Sequence, residues 1–166
     1  MLTPVGAAVM GPDDPATSGS TRQKSEVTFT GLNLTIPTTA TNLINLVKNL
    51  SHTGSMAPFF NETTNKFNVF NVGMTCTFKA NIIGSWAGGS TNRSMSVSFP
   101  STVGNKLVES RDVAVTGDDL SFPTFFSVDK DGNLATNGSD IIIQSNGGTF
   151  TANTILLIAE QMVPNS

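Results

Sequence analysis

The chain has 166 residues, 38% of them hydrophobic and only 13% charged, with a formal net charge of −3. That length suits one domain able to bury its own core. Eleven Phe among many Val, Ile and Thr exclude a disordered chain, and nine Lys and Arg spread along it exclude a basic nucleic-acid footprint.

The opening residues, MLTPVGAAVM, lack the basic stretch of a secretory leader, and the apolar runs are too short to span a bilayer as a helix. The expectation is a soluble protein made in a cytoplasm, with no membrane insertion and no cofactor. Residues 1–25 read as an arm. Leu2, Val5, Val9 and Met10 are candidates for docking on another protein, and GPDDPATSGS supplies a linker. The domain is expected over 26–166.

From Glu26 the apolar residues recur every second position. Val27 and Phe29, then Leu32, Leu34 and Ile36, predict a strand pair or a strand bulged at Gly31. Leu43, Leu46, Val47 and Leu50 permit a short helix, but Thr41, Asn42 and Asn45 favour an irregular strand. Phe67, Val69 and Phe59 belong to the next strand region. Met74, Cys76, Phe78, Ala80 and Ile82 then alternate with polar residues, the cleanest strand signal in the chain. After the turn at 87–90, strands are expected at 93–99, 106–115, 120–128, 140–145 and 154–163, separated by Gly, Asp and Asn turns. Eight to ten short strands with no βαβ alternation predict an all-β antiparallel sandwich or barrel.

Residues 60–83, FNETTNKFNVFNVGMTCTFKANII, resemble the globular heads of the tumour-necrosis-factor and complement-head superfamily, including their phage-borne relatives. The matching positions are Asn61, Lys66, Phe67, Val69, Gly73, Met74, Cys76 and Phe78. Residues 140–145, a Gly-rich turn, Thr149–Phe150 and 154–160 resemble the last hairpin of that fold. The resemblance implies a jelly roll that assembles as a homotrimer with its final strand near the threefold axis. Ile155, Leu157, Phe78 and Met74 are then the candidate axis residues. The run Ile155-Leu156-Leu157-Ile158-Ala159 fits, because a strand buried on both faces reads as continuously apolar.

Candidate chemistry is sparse. His52, the only histidine, sits in the turn SHTGS, and there is no nucleophile-elbow motif. Cys76 is in register with Phe78, which predicts a buried, inert thiol. Asp129, Asp131, Asn133 and Asp140 match part of a calcium-loop count, but Leu134 stands where that loop needs Gly, and DKDGN makes a hairpin turn by itself. No catalytic or metal constellation emerges, so no enzyme is expected. Trp86, near a loop tip, is a candidate sugar or subunit contact.

The resemblance therefore implies a bacteriophage virion structural protein on the particle surface. It would be a capsid decoration or head fibre, or a small tail-associated knob, held by its arm to a capsid or baseplate protein. The absence of a shaft within the 166 residues tilts the reading towards the capsid. The alternative is a knob that recognises a host-surface glycan through Trp86 and the Asn-, Ser- and Thr-rich loops.

Overall fold

A computed structural model describes residues 19–102 and 104–166. The strands are β1 (Ser20–Phe29), β2 (Leu34–Ile36), β3 (Thr41–Asn42), β4 (Thr53–Ser55), β5 (Phe60–Asn61), β6 (Lys66–Phe67), β7 (Cys76–Trp86), β8 (Arg93–Ser98), β9 (Lys106–Arg111), β10 (Gly117–Phe126), β11 (Ile142–Asn146) and β12 (Phe150–Pro164). Two five-residue helices interrupt them, α1 (Leu43–Val47) and α2 (Asn133–Asn137).

Eight of the strands pair in nested fashion. β1 lies on β12, β3 on β11, β7 on β10 and β8 on β9, all antiparallel. First pairs with last and fourth with fifth, the signature of a jelly roll. One sheet runs β10-β7-β12-β1-β4, with β2 also on β12, and the facing sheet runs β3-β11-β8-β9. The all-β antiparallel sandwich expected from the two-residue periodicity forms, with the jelly-roll order that the resemblance implies.

Strand alternation builds the core. β7 buries Cys76, Phe78, Ala80 and Ile82 and turns Thr77, Lys79 and Ser85 outward. On β12 the pairing to β7 shifts register between Ala152 and Thr154. Asn153 is the extra residue of this bulge, and it switches the inward set from Phe150 and Ala152 to Ile155, Leu157 and Ala159. The same bulge separates β1 from β2. Gly31, at φ +66°, turns the chain, and Leu32 N–H donates to Asn153 O at 2.9 Å.

Phenylalanine rings close one end of the sandwich. Phe67 has ring centroids at 5.2 Å from Phe126, 5.8 Å from Phe78, 6.0 Å from Phe99, 6.1 Å from Phe60 and 6.3 Å from Phe59. Offset and edge-on contacts of this kind add to the burial of the rings. At the side of the sandwich, β9 and β10 meet through side chains. Glu109 Oε1 accepts from Ser121 N–H at 3.1 Å. Arg111 holds both Asp118 and Glu109, at 2.6 and 2.7 Å, and those carboxylates raise its pKa, Asp118 most.

Three expectations change. Residues 20–25, assigned to the arm, are strand: Ser20 pairs with Pro164 and Ser25 with Ala159, so the domain begins six residues before Glu26. The arm candidates Leu2, Val5, Val9 and Met10 lie outside the described residues. Residues 43–47 are helical, because the Asn42 side chain caps the turn by accepting from Asn45 N–H at 3.0 Å. DKDGN opens α2 instead of making a hairpin, with Asp131 at φ +63°.

Truncating Phe67 to Ala is expected to cost about 3–5 kcal/mol in urea unfolding, whereas Val108→Ser, exposed on β9, shifts stability by no more than about 0.5 kcal/mol. Burial pushes the Cys76 thiol from 9.0 up to about 12, opposed by a backbone hydrogen bond at Glu160. The folded state therefore holds this proton more tightly than the unfolded chain. Its stabilising contribution is complete below about pH 9 and is lost as pH rises towards 12. A maleimide at pH 8 is expected to label Cys76 only after denaturant is added, as read by mass spectrometry.

Candidate functional site

Two surfaces have the shape and chemistry to engage something else: a polar cleft at the Phe-closed end, and the outer face of the six-strand sheet.

The cleft is assembled around Phe67. With the Phe67 ring turned into the core, its neighbours Lys66 and Asn68 are directed outward. Phe67 and Ser139 exchange backbone hydrogen bonds at 2.8 and 2.9 Å, which brings the end of α2 against the β5–β6 hairpin. Gly138 permits the approach. It sits at φ +65°, and a Cβ there would lie 2.3 Å from Asn68 Oδ1 and 2.7 Å from Phe67 O. The turn before Lys66 is held by Asn61 Oδ1, which accepts from Thr63 and Thr64 N–H at 2.9 and 3.0 Å. Asn65, at φ +56°, is fixed by Asn42 and Lys48.

The resulting cavity is about 340 Å³ and is lined by Thr64, Lys66, Asn68, Thr136, Asn137 and Gly138, with Val69 and Ala135 behind them. Asn68 and Val69 also wall a second cavity of about 160 Å³, whose other lining residues are Pro58 and Phe70. Phe70 is held in place by Gln161, which accepts from its N–H at 2.8 Å and donates to its carbonyl at 3.2 Å. A polar chamber and an apolar shelf thus share one wall.

The outer sheet face presents the second parity of each strand. Its rows run Ser121–Asn81–Leu156–Thr28, then Pro123–Lys79–Ile158–Glu26, then Phe125–Thr77–Glu160–Lys24. Leu156 and Ile158 are half-buried at its centre, Phe125 is 66% exposed and Met162 41% exposed. The paired charges here, Lys24 with Glu26 and Arg22 with Glu160 at 3.8 Å, contribute little stability, and Lys79 stands beside Ile158.

The axis candidates are corrected by this geometry. Ile155, Leu157 and Phe78 are buried inside their own sandwich and face away from the outer surface. The outward apolar residues of β12 are Leu156, Ile158 and Met162, one position out of phase. Met74 lies in the loop before β7 and is 36% exposed. Trp86 is also corrected as a ligand contact: it is 4% exposed and packs edge-on against Phe150 at 5.0 Å. His52 sits in an exposed turn and packs near Phe29 at 5.4 Å. Among the described residues no three His, Cys, Asp or Glu side chains cluster to hold a metal, and Asp131 is engaged by Asn71 instead. No helix of the described residues is long and apolar enough to cross a membrane. Sequence reasoning missed Lys66, Asn68 and Asn137 as cleft residues. The signal available was the Asn- and Thr-rich hairpin ending in Lys-Phe.

Residues 21–161 match the family described as the Sf6-type phage tail needle knob or tip of some Caudovirales. The tail needle protein of Shigella phage Sf6 is 53% identical over 143 residues, 86% of this chain and 51% of that protein. The chain therefore spans about half the length of the curated relative it matches. Among solved structures, the PRD1 vertex protein P5 is similar with a TM-score of 0.52 at 12% identity, covering 87% of this chain and 99% of that one. Eiger TNF from S. frugiperda has a TM-score of 0.42 at 8% identity, covering 86% of this chain and 94% of that one.

Proposed function

The chain belongs to the family of Sf6-type phage tail needle knobs or tips, which makes it a virion structural protein of the tail, and from that premise we propose that it works there as a homotrimeric, non-enzymatic knob. The match over residues 21–161 carries this reading, because it spans the whole sandwich. Of the two locations left open by the sequence, capsid and tail, family membership selects the tail. The missing shaft therefore does not argue for the capsid.

The outer face of the sheet β10-β7-β12-β1 supports self-assembly. Leu156 and Ile158 sit on its central strand, Leu156 between uncharged Thr28 and Asn81 and Ile158 between Glu26 and Lys79. Burying each large apolar side chain between copies contributes about 1.5–3 kcal/mol. A closed threefold arrangement repeats that gain at every contact without leaving an unpaired face. The jelly-roll resemblance favours three copies.

The termini give the knob a polarity. Ser20 pairs with Pro164, and Asn165 N–H donates to Gly19 O at 3.0 Å, so the described chain enters and leaves at one end. That end also holds the start of β7 and the close of β10. The opposite end carries the exposed loop 87–92 and the turn 146–149, stitched by Thr91 Oγ1 donating to Gly147 O at 3.5 Å. In the proposed arrangement the end that holds Ser20 and Pro164 faces other tail proteins and the loop end points outward.

Sedimentation of the purified chain at micromolar concentration is expected to give the mass of three copies. Ile158→Asp is expected to give a folded single copy, with Ile155→Val remaining three-copy. A wild-type monomer at that concentration refutes the assembly. Antibodies raised against the loop 87–92 are expected to decorate tail ends in negative-stain micrographs of intact particles. Decoration of the head contradicts the tail assignment.

A further inference from the structure

We infer that the cleft between the β5–β6 hairpin and α2 is a binding site for a saccharide ring bearing a carboxylate. This goes beyond the structural role, and none of the lining residues lies on the sheet face assigned to self-assembly.

Four observations converge. The chamber, about 340 Å³, falls within the usual range of roughly 300–1,000 Å³ for small-ligand sites. Its polar lining consists of hydroxyls and amides that donate and accept, with one ammonium and no carboxylate. Asn137 Nδ2 donates to Asn133 Oδ1 at 2.8 Å and Thr136 Oγ1 to Asp131 O at 3.5 Å, while two of the lining side chains are uncommitted to the protein. The Asn68 amide and the Thr64 hydroxyl have no partner among the described residues, and the acceptor of Lys66 Nζ is Asn137 O at a long 3.4 Å. The adjoining shelf, about 160 Å³ and formed with Pro58 and Phe70, is apolar.

A sugar ring has this division of surface: a rim of hydroxyls and an apolar C–H face. With the C–H face on Pro58 and Phe70, the rim meets Asn68, Thr64 and Asn137. A ring carboxylate then gives Lys66 a charge-assisted partner that the protein does not supply. A bare anion leaves the shelf and amides unused, and a neutral sugar leaves the ammonium unpaired. The site is held ready, since Gly138, Asn61 and the Phe67–Ser139 bridge fix both walls before any ligand arrives.

The test uses the ¹⁵N-labelled full chain and three probes: D-galacturonic acid, D-galactose and acetate. Galacturonic acid is expected to cause saturable shifts of the amides of Asn68, Val69 and Gly138. Galactose is expected to bind about tenfold more weakly, the loss of roughly one charge-assisted contact, and acetate to leave these amides unmoved. Lys66→Met is expected to remove the preference for galacturonic acid, and Asn68→Ala to weaken both sugars, each with an otherwise unchanged spectrum. Equal binding of the two sugars, equal binding of acetate, shifts that map elsewhere, or no saturable shift overturns the assignment. Sedimentation of the same samples reports on the trimer separately, so the cleft and the knob stand or fall independently.

Discussion

The packing of Phe67 against five other phenylalanine rings is the contact on which this molecule's surface chemistry depends. The stretch between α1 and β7 contributes only short strands, and one two-residue pair, β5 with β6, stands apart from both sheets. Ladder hydrogen bonds alone cannot fix so small a hairpin. The ring of Phe67 does so by sharing the core with Phe78 from β7, Phe99 after β8 and Phe126 at the end of β10. Elements from both sheets therefore converge on one side chain. Its backbone meanwhile bonds to Ser139 and draws α2 into place.

Away from that end, the organising element is β12. It has β7 on one side and β1 and β2 on the other, and one parity of its side chains fills the sandwich while the other forms the centre of the outer face. Core and proposed assembly surface are thus two sides of a single strand. The cleft lies on neither, which keeps the proposed ligand site apart from the proposed assembly surface.

Much of the fold was legible in the sequence because period-two burial is a local property. β7, β8 and β9 lie close to where alternation put them, and Cys76 is buried as its register implied. The errors have physical sources. In Ile155-Leu156-Leu157-Ile158 both parities are apolar, so the pattern announces a doubly engaged strand without saying which parity faces which way. The bulge at Asn153, which sets the phase, has no apolar signature of its own. Trp86 sits at the last position of β7, where a strand-end residue packs inward on Phe150 as readily as it reaches solvent. The cleft was invisible because its walls, residues 64–69 and 135–138, are some seventy positions apart and meet only through the Phe67–Ser139 bridge. Helix α1 escaped because one capping side chain, Asn42, outweighed the strand preference of its neighbours.

The six-strand sheet ends on one side in β4, three residues long with Gly54 at its middle, and on the other in β10, which carries Pro123. Proline has no N–H to offer an incoming strand, and a three-residue margin offers little to grip. Lateral strand addition, the route by which exposed sheets grow into filaments, is hindered along β4 and β10, and the stretch of β1 that β4 leaves uncovered carries Arg22 and Lys24. Particles crowded together in a lysate are thereby discouraged from cross-linking through this sheet.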